Sequence, residues 1–259
     1  MKLTFLGVSG ALSPKFNSNM IIENHNDCIL FDCGEDVMHS LRAAGRTPEE
    51  LTGVYISHLH YDHMGGLSWL GYYSYFVMKK RITLHIHESM ISDLWAMLRP
   101  AMEKLNERGM VTLDEYFDVI PFKDEKRVVG SMTFEPVKQE HVKTPHGNMY
   151  SYGAVFMYSY LDGKYWEPDV VSDKIFISSD SRYVVLPEYH YEYVFCDCDV
   201  MNLGGVHTDY NMLLKSNMYN DVRKKMWLYH YHDLGKDMPD AVADGFAGFV
   251  KEGQIFKIE

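Results

Sequence analysis

The sequence contains few cysteines, no long hydrophobic run and no excess of basic residues. Only four of its 259 residues are cysteines, Cys28, Cys33, Cys196 and Cys198, and they show no zinc-ribbon spacing. We therefore expect reduced, buried thiols. No apolar run reaches the length of a membrane span, and Gly7 interrupts the first apolar segment too early for a signal peptide. These absences predict a cytoplasmic protein without a membrane anchor.

Positive charge is also scarce. The sequence has 25 Lys and Arg residues but 36 Asp and Glu residues, which gives a formal net charge of −11. A protein that binds long nucleic acid usually presents a basic face that displaces counterions from phosphates. The acidic balance therefore argues against a large RNA or DNA substrate. It favours a small ligand, and the 19 tyrosines offer rings on which such a ligand could stack.

The chain shows no repeat and no linker that would divide it, so we predict one domain over residues 1–259. Strand-like and helical segments alternate, which is typical of a layered α/β fold. The predicted strands are 2–7, 20–23, 29–32, 53–57, 82–87, 132–138, 152–160, 174–178, 193–198, 226–229 and 254–258. The predicted helices are 35–44, 67–80, 88–106 with an interruption at Pro100, 210–224 and 239–252, and a capping box opens at Thr47. The polar segment 161–172 predicts a loop or hairpin tip.

The strongest functional signal is a cluster of potential metal ligands. His58, His60, Asp62 and His63 fall within six residues at the end of the predicted strand 53–57. A strand that ends in a loop can aim alternate side chains at one point. Packing three imidazoles and a carboxylate together is costly unless a cation is present. Imidazole and carboxylate are ligands of zinc, and also of iron or manganese, so the cluster predicts a metal site.

The pattern His-x-His-x-Asp-His over 58–63 is similar to the signature of the metallo-β-lactamase superfamily. The resemblance implies an αββα sandwich that holds two divalent metal ions, with zinc preferred and manganese as an alternative. It also implies that Asp32, which follows a strand, orients the metal loop by hydrogen bonding. The implied ligands are His58, His60 and His141 for the first ion, Asp62, His63 and His230 for the second, and Asp180 as the bridge.

Two of these assignments have competitors in the sequence. His146 lies in the same predicted loop as His141, and His232 lies two residues after His230. We prefer His141 and His230 because each is nearer to the end of its predicted strand.

Several segments resemble the tRNA 3′-processing endonucleases, called tRNase Z, namely 5–14, 17–19, 31–36 and 57–67. That branch has a histidine that protonates the leaving oxygen and a glutamate that pairs with it. His207 matches the histidine, and Asp197 stands where the glutamate is expected. The alternative for His207 is a structural role as a cap at the start of a helix.

One feature of the tRNase Z branch is missing, because the sequence contains no long Gly- and Lys/Arg-rich arm that would grip tRNA. The same core without the arm resembles the anti-Pycsar proteins of phages and bacteria, which destroy cyclic nucleotides such as cyclic CMP and cyclic UMP. The resemblance implies hydrolysis of a 3′,5′-cyclic phosphodiester to a nucleoside monophosphate by a homodimer. Asp62, His207 and Asp197 would take part in catalysis. Aromatic residues within 67–78 and 149–160 are candidates to sandwich the base.

Three other functions remain open at this point. A tRNA 3′-end endonuclease would need a basic groove beside the metals. A lactonase or thioesterase would not need His207, because a carboxylic ester does not require the same leaving-group acid. A metal-stabilised protein that only sequesters a nucleotide would bind tightly without turnover.

Overall fold

Two β-sheets form the framework of the computed structural model, which describes residues 1–104, 109–158, 174–201 and 205–258. Within these ranges each sheet has seven strands, in the orders β14-β1-β2-β3-β4-β5-β6 and β13-β12-β11-β10-β9-β8-β7. The first sheet contains β1 (Lys2–Phe5), β2 (Met20–Asn24), β3 (Asp27–Phe31), β4 (Gly53–Ile56), β5 (Ile82–His87), β6 (Phe117–Phe122) and β14 (Ile255–Lys257). The second contains β7 (Arg127–Val129), β8 (Met132–Thr144), β9 (Gly147–Tyr158), β10 (Lys174–Ile177), β11 (Tyr191–Asp197), β12 (Met226–Tyr229) and β13 (Gly248–Phe249).

Both sheets change from antiparallel to parallel pairing part of the way across. In the first, β1, β2 and β3 are antiparallel neighbours, whereas β3, β4, β5 and β6 run parallel. In the second, β8, β9 and β10 are antiparallel, whereas β10, β11, β12 and β13 run parallel. The carboxyl ends of parallel strands lie at one edge of a sheet, so loops that follow β3, β4, β10, β11 and β12 can meet there.

Large aromatic side chains fill the space between the sheets. Phe31 of β3 and Tyr55 of β4 stack at 4.8 Å, and Phe5 of β1 contacts Phe195 of β11 at 5.1 Å between ring centroids. The buried hydroxyl of Tyr55 donates to the carbonyl oxygen of Tyr152 in β9 at 3.1 Å. These contacts bury apolar area on both inner faces and satisfy the phenol. The resulting rigid core supports the loops at its edge.

The α-helices of the described ranges are short, and each lies between two strands along the chain. They are α1 (Val37–Ala43), α2 (Tyr61–Met64), α3 (Leu67–Tyr73), α4 (Ile91–Met102), α5 (Leu113–Tyr116) and α6 (Tyr210–Lys215). Pro100 is exposed and lies inside the last turn of α4 without ending it, so the predicted interruption is wrong. None of the helices in the described ranges has the length and apolar composition that a membrane crossing requires.

The prediction of a helix over 239–252 is wrong. The segment contains turns and the short strand β13, because Gly245 and Gly248 adopt φ angles of 89° and 136° that no helix accommodates. The eleven predicted strands are all present, and β6, β7 and β13 are additional. Strand β6 contains Pro121, which is tolerated because β6 lies at a sheet edge. The predicted loop 161–172 lies outside the described residues.

Candidate metal centre

Seven side chains that the sequence assigns to metal ions meet at the shared edge of the two sheets. Their ligand atoms fall into two groups, each with all atoms within 4.8 Å of one another. The first group is His58, His60, His141 and Asp180, and the second is Asp62, His63, Asp180 and His230. Asp180 belongs to both groups, which matches the division into two sites with a shared carboxylate. Its Oδ2 lies 3.5 Å from Nε2 of His141 and 3.5 Å from Nε2 of His230.

The strand ends explain why residues so far apart in the chain meet. His58 follows β4, Asp180 follows β10 and His230 follows β12 directly. Two of the turns need a left-handed backbone, since Ser179 and His230 have φ angles of 56° and 63°. Asp32, directly after β3, has a φ of 61°. Non-glycine residues in this region are strained, and such strain is concentrated at functional sites.

A β-bulge aims His141 at the cluster. In the β8–β9 pair, Glu140 is opposite Tyr150 and Val142 is opposite Met149, so His141 is the extra residue. A bulge of this kind redirects one side chain without ending the strand. The strand therefore continues past 138, where the sequence prediction ended it. His146 lies exposed near the hairpin turn, away from both groups of ligand atoms. The structure thus brings His141, and not His146, to the site.

Hydrogen bonds outside the cluster orient four of the five imidazoles. Each uses Nδ1 for this bond, which leaves Nε2 to face the cluster interior. The pairs are His58 with Ser57 Oγ at 3.0 Å, His63 with Asp32 Oδ2 at 2.7 Å, His141 with the Val206 carbonyl oxygen at 2.9 Å, and His230 with Ser18 Oγ at 3.1 Å. The carbonyl and carboxylate can only accept, so Nδ1 of His141 and of His63 carries the proton. The fifth imidazole, His60, directs Nδ1 at Nε2 of His141, 3.0 Å away.

Asp32 orients the metal loop, residues 57–63, by hydrogen bonding. Its buried carboxylate accepts hydrogen bonds from the Ser57 backbone N–H and hydroxyl, both at 2.8 Å, in addition to the one from His63. These contacts hold both ends of the segment that carries four of the ligand candidates. The geometry is the one that the superfamily resemblance implies for this aspartate.

The donor set fits two divalent cations. Nε2 of His58, Nε2 of His63 and Oδ1 of Asp180 are buried and have no hydrogen-bond partner among the described residues. Unpaired polar atoms in a protein interior are costly, and a cation would satisfy all three. The 3.0 Å separation of the His60 and His141 nitrogens is close to the ~3.3 Å expected for two nitrogen ligands of one tetrahedral zinc ion.

Burial favours the neutral, ligand-competent form of four of the five imidazoles. Burial lowers the pKa values of His58, His60, His141 and His230, so these imidazoles are neutral at pH 7 and can donate a lone pair. For His63, burial also lowers the pKa, but the charges of Asp180, Asp62 and Asp32 outweigh it and raise the pKa well above the usual value. Three carboxylates around one imidazole concentrate negative charge in a buried space. Divalent cations neutralise such charge.

His207 and Asp197 form a pair at the side of the cluster. Nδ1 of His207 lies 3.0 Å from Oδ2 of Asp197, and that oxygen also accepts the Ser181 backbone N–H at 2.8 Å. Asp197 is fully buried at the end of β11, whereas about a quarter of the His207 side chain is exposed. Burial lowers the pKa of His207, but the charges of Asp197 and Asp180 raise it to about 10. The contact with Asp197 therefore favours the protonated form of the imidazole.

The alternative role of His207 as a helix cap is wrong. Asp209 is the N-cap of α6, and its side chain accepts the Met212 backbone N–H at 2.9 Å. His207 lies two residues before this cap and makes its hydrogen bond with Asp197 instead.

A cavity of about 370 Å³ opens directly onto the ligand atoms. This volume lies within the roughly 300–1,000 Å³ of small-molecule sites. Its lining residues are Gly10, Ala11, Leu12, His60, Tyr61, Asp62, Asp180, Asp199, Val206, His207, His230 and His232. His232 is therefore part of the cavity wall, but it belongs to neither of the two groups of ligand atoms. The structure thus brings His230, and not His232, to the metal centre.

Sequence reasoning missed several residues of this site. The predicted base-stacking ranges 67–78 and 149–160 contribute no described residue to the cavity, whereas Tyr61 and Leu12 line it. Tyr61 could have been found, because it lies inside the metal motif between His60 and Asp62. The contact of Ser18 with His230 joins residues 212 positions apart, and no local pattern indicates it.

Comparisons with known proteins identify the family. The family model described as anti-Pycsar protein Apyc1 matches residues 1–256. The anti-Pycsar protein Apyc1 of Bacillus phage 010DV004 is 30% identical over 268 residues, with 99% of this chain and 98% of the phage protein covered. The metallo-β-lactamase fold protein YhfI from Bacillus subtilis has a TM-score of 0.69 at 18% identity, over 98% of both chains. Human tRNase Z, short form, has a TM-score of 0.69 at 17% identity, over 100% of both chains.

The two solved structures confirm the predicted metallo-β-lactamase fold of this chain. The match over 1–256 and the phage relative confirm the predicted kinship with the anti-Pycsar proteins. The chain belongs to the anti-Pycsar protein Apyc1 family.

Proposed function

We propose that this chain is a metal-dependent phosphodiesterase that hydrolyses 3′,5′-cyclic nucleotides to nucleoside monophosphates and thereby removes cyclic nucleotide signals. The observation that carries the proposal is the arrangement of two ligand groups and the His207–Asp197 pair around one cavity of small-molecule size. Membership of the anti-Pycsar Apyc1 family supports the choice of a cyclic nucleotide over other phosphodiesters.

The proposed ligands are His58, His60 and His141 for one ion, Asp62, His63 and His230 for the other, and Asp180 for both. Two bound divalent ions supply a water of lowered pKa and positive charge for the phosphoryl oxygens. The five imidazoles favour zinc, and manganese is the alternative. Metal analysis of the purified protein distinguishes the two, and the ion that restores activity after chelation identifies the functional one.

His207 is proposed to donate a proton to the departing sugar oxygen as the phosphorus–oxygen bond of the ring breaks. The negative charge of the buried Asp197 carboxylate raises the pKa of this imidazole and favours its protonated form. Asp197 positions the ring through the Nδ1 contact and leaves Nε2 to face the substrate. The oxygen of the attacking water remains on phosphorus, and the product is a monophosphate.

A turnover screen tests the proposed function. Purified protein is incubated with cyclic AMP, GMP, CMP and UMP, with a precursor tRNA and with a lactone, each with and without a chelator. We expect chelator-sensitive hydrolysis of at least one cyclic nucleotide. Cleavage of the precursor tRNA or of the lactone alone would contradict the proposal, and tight binding of cyclic nucleotides without turnover would make the chain a sequestering protein.

A His207→Ala variant tests the proposed acid. Loss of a general acid lowers the rate by about 10²–10⁴-fold on a cyclic nucleotide, whose sugar oxygen is a poor leaving group. The loss should be much smaller on a p-nitrophenyl phosphodiester, because p-nitrophenolate departs without a proton. Equal losses on both substrates, with the metal content unchanged, would argue against the role of His207 as an acid.

We also propose that the chain forms a homodimer and acts in the cytoplasm, as the sequence resemblance implies. Sedimentation equilibrium over a range of protein concentrations measures the assembly, and a monomer throughout that range would refute the dimer.

A further inference from the structure

Two exposed apolar side chains stand at the rim of the cavity described above. Leu12, at the tip of the loop between β1 and β2, is 83% exposed, and Tyr61 of α2 is 59% exposed. Both line the cavity that also contains His60, Asp62 and His230. Exposed apolar side chains are common on protein surfaces, but two at the mouth of one polar site form a wall that a ring can contact.

The backbone holds the ring of Tyr61 in place. A Cβ atom at Gly65 would lie 2.8 Å from Cδ1 and 2.9 Å from Cε1 of Tyr61, so the ring rests against the bare glycine backbone. The backbone N–H of Gly65 donates to the Tyr61 carbonyl oxygen at 2.8 Å and fixes the same turn. An aromatic ring that is ordered before the ligand arrives loses little conformational entropy on binding.

We propose that Tyr61 is the base-stacking residue of this enzyme and that Leu12 supplies a second apolar contact to the nucleoside. The proposal rests on the proposed function, because it names how the same site holds the nucleoside. Tyr61 lines the same cavity as His60 and Asp62, so a nucleoside whose phosphate binds at the metal centre can reach this ring. Among the described residues that line the cavity, Tyr61 is the only aromatic one apart from histidines.

Stacking recognises the flat face of a base and not its hydrogen-bonding edge. Tyr61 therefore contributes to the binding of every base, and more to a purine, which offers a larger face. It contributes nothing to the chemistry at phosphorus. The expected signature is a change in KM that depends on the presence of a base, with kcat preserved.

The test compares cyclic AMP with a base-free analogue, 1-O-methyl-ribofuranose 3′,5′-cyclic phosphate. For cyclic AMP, Tyr61→Ala should raise KM about tenfold, which is the loss of one base–aromatic contact. For the base-free analogue the same variant should behave as the wild type does. Tyr61→Phe keeps the ring and should retain wild-type KM. The control is Tyr183→Ala, since Tyr183 is 55% exposed and does not line the cavity.

The affinities for AMP and for ribose 5-phosphate, measured by calorimetry, complete the test without turnover. Tyr61→Ala should weaken AMP binding about tenfold and leave ribose 5-phosphate unaffected. Equal loss on the base-containing and base-free compounds, or no loss on either, would overturn the stacking proposal. If the wild type hydrolysed no cyclic nucleotide, the proposed function would fail, and the AMP measurement would still decide the role of Tyr61.

Discussion

At the residue scale, the metal centre depends on backbone conformations and close approaches that few side chains permit. Asp32, Ser179 and His230 all have positive φ, and each such residue costs about 1–3 kcal/mol. The surrounding hydrogen bonds hold them there, as when Asp32 accepts from both the backbone and the side chain of Ser57. Strained backbone conformations therefore occur at residues that form or orient the metal centre.

Gly10 shows how closely the backbone approaches a ligand. A Cβ atom at this position would lie 2.7 Å from Nε2 of His230, the nitrogen that faces the cluster. We predict that Gly10→Ala displaces this imidazole and lowers the affinity of the second metal site about 10–100-fold. Metal content after dialysis against a weak chelator measures the effect.

A matched control separates this effect from a general loss of stability. Gly45 has a φ of 67°, and a Cβ atom at this position would have no atom of the described residues within 4 Å, so Gly45→Ala should strain the backbone without touching a metal ligand. This variant should melt at a lower temperature and retain its metal. Full metal occupancy in Gly10→Ala would contradict the steric argument.

At the element scale, the long hairpin β8–β9 reaches the site through one irregular residue. A regular strand places alternate side chains on opposite faces, and the extra residue of a bulge breaks that alternation. Here the extra residue is His141, whose side chain is fully buried against the metal loop. Sequence periodicity cannot locate such a position, because the bulge is defined by the pairing with β9.

Strand β5 carries the buried histidine His85, which predicts a pH dependence of stability. Burial and the charge of Arg127 lower the pKa of His85 from 6.5 to about 4. Between these two values the unfolded chain binds a proton that the folded chain rejects. Stability therefore falls as the pH falls below about 6.5, and the total loss is about 3 kcal/mol once the pH is below about 4.

Urea unfolding of the wild type and of His85→Leu from pH 7.5 to pH 4.5 measures this contribution. Both proteins are kept in chelator, so that protonation of the metal ligands affects both curves alike. We expect the wild type to lose more stability than the variant on acidification. Parallel curves would show that His85 does not couple folding to protonation.

At the scale of the whole molecule, the two sheets meet around a buried group of charged and polar side chains. Asp32, Asp62 and Asp180 and five imidazoles converge there from elements spread over most of the chain. Cations that bind only this folded arrangement stabilise it by mass action. Metal binding should therefore stabilise the fold in addition to its role in the chemistry.

We predict that chelation lowers the melting temperature by roughly 10–20 °C, which corresponds to two metal ions that are each present at about 100 times their dissociation constant. Differential scanning calorimetry with and without EDTA measures the shift. Asp180→Asn, which weakens both sites at once, should remove most of the chelator response. An unchanged melting temperature of the wild type in EDTA would show that the metals do not support the fold.

The sequence alone determined the type of chemistry and most of the strands. The cluster His58, His60, Asp62 and His63 is contiguous, so its ligand types and spacing are visible without a structure. The strands were predictable because buried β-branched and aromatic runs are local patterns. The helix over 239–252 was predicted wrongly because two glycines with positive φ override an otherwise helical composition.

Only the tertiary structure decided which of two competing histidines reaches the metals and which residues surround the substrate. The choice of His141 over His146 depends on a bulge, and that of His230 over His232 depends on where β12 ends against the first sheet. The contacts of Ser18 and Gly10 with His230 depend on loops from different strands meeting at one edge. Such contacts carry no periodic signal, because the residues that make them are neighbours in space and not along the chain.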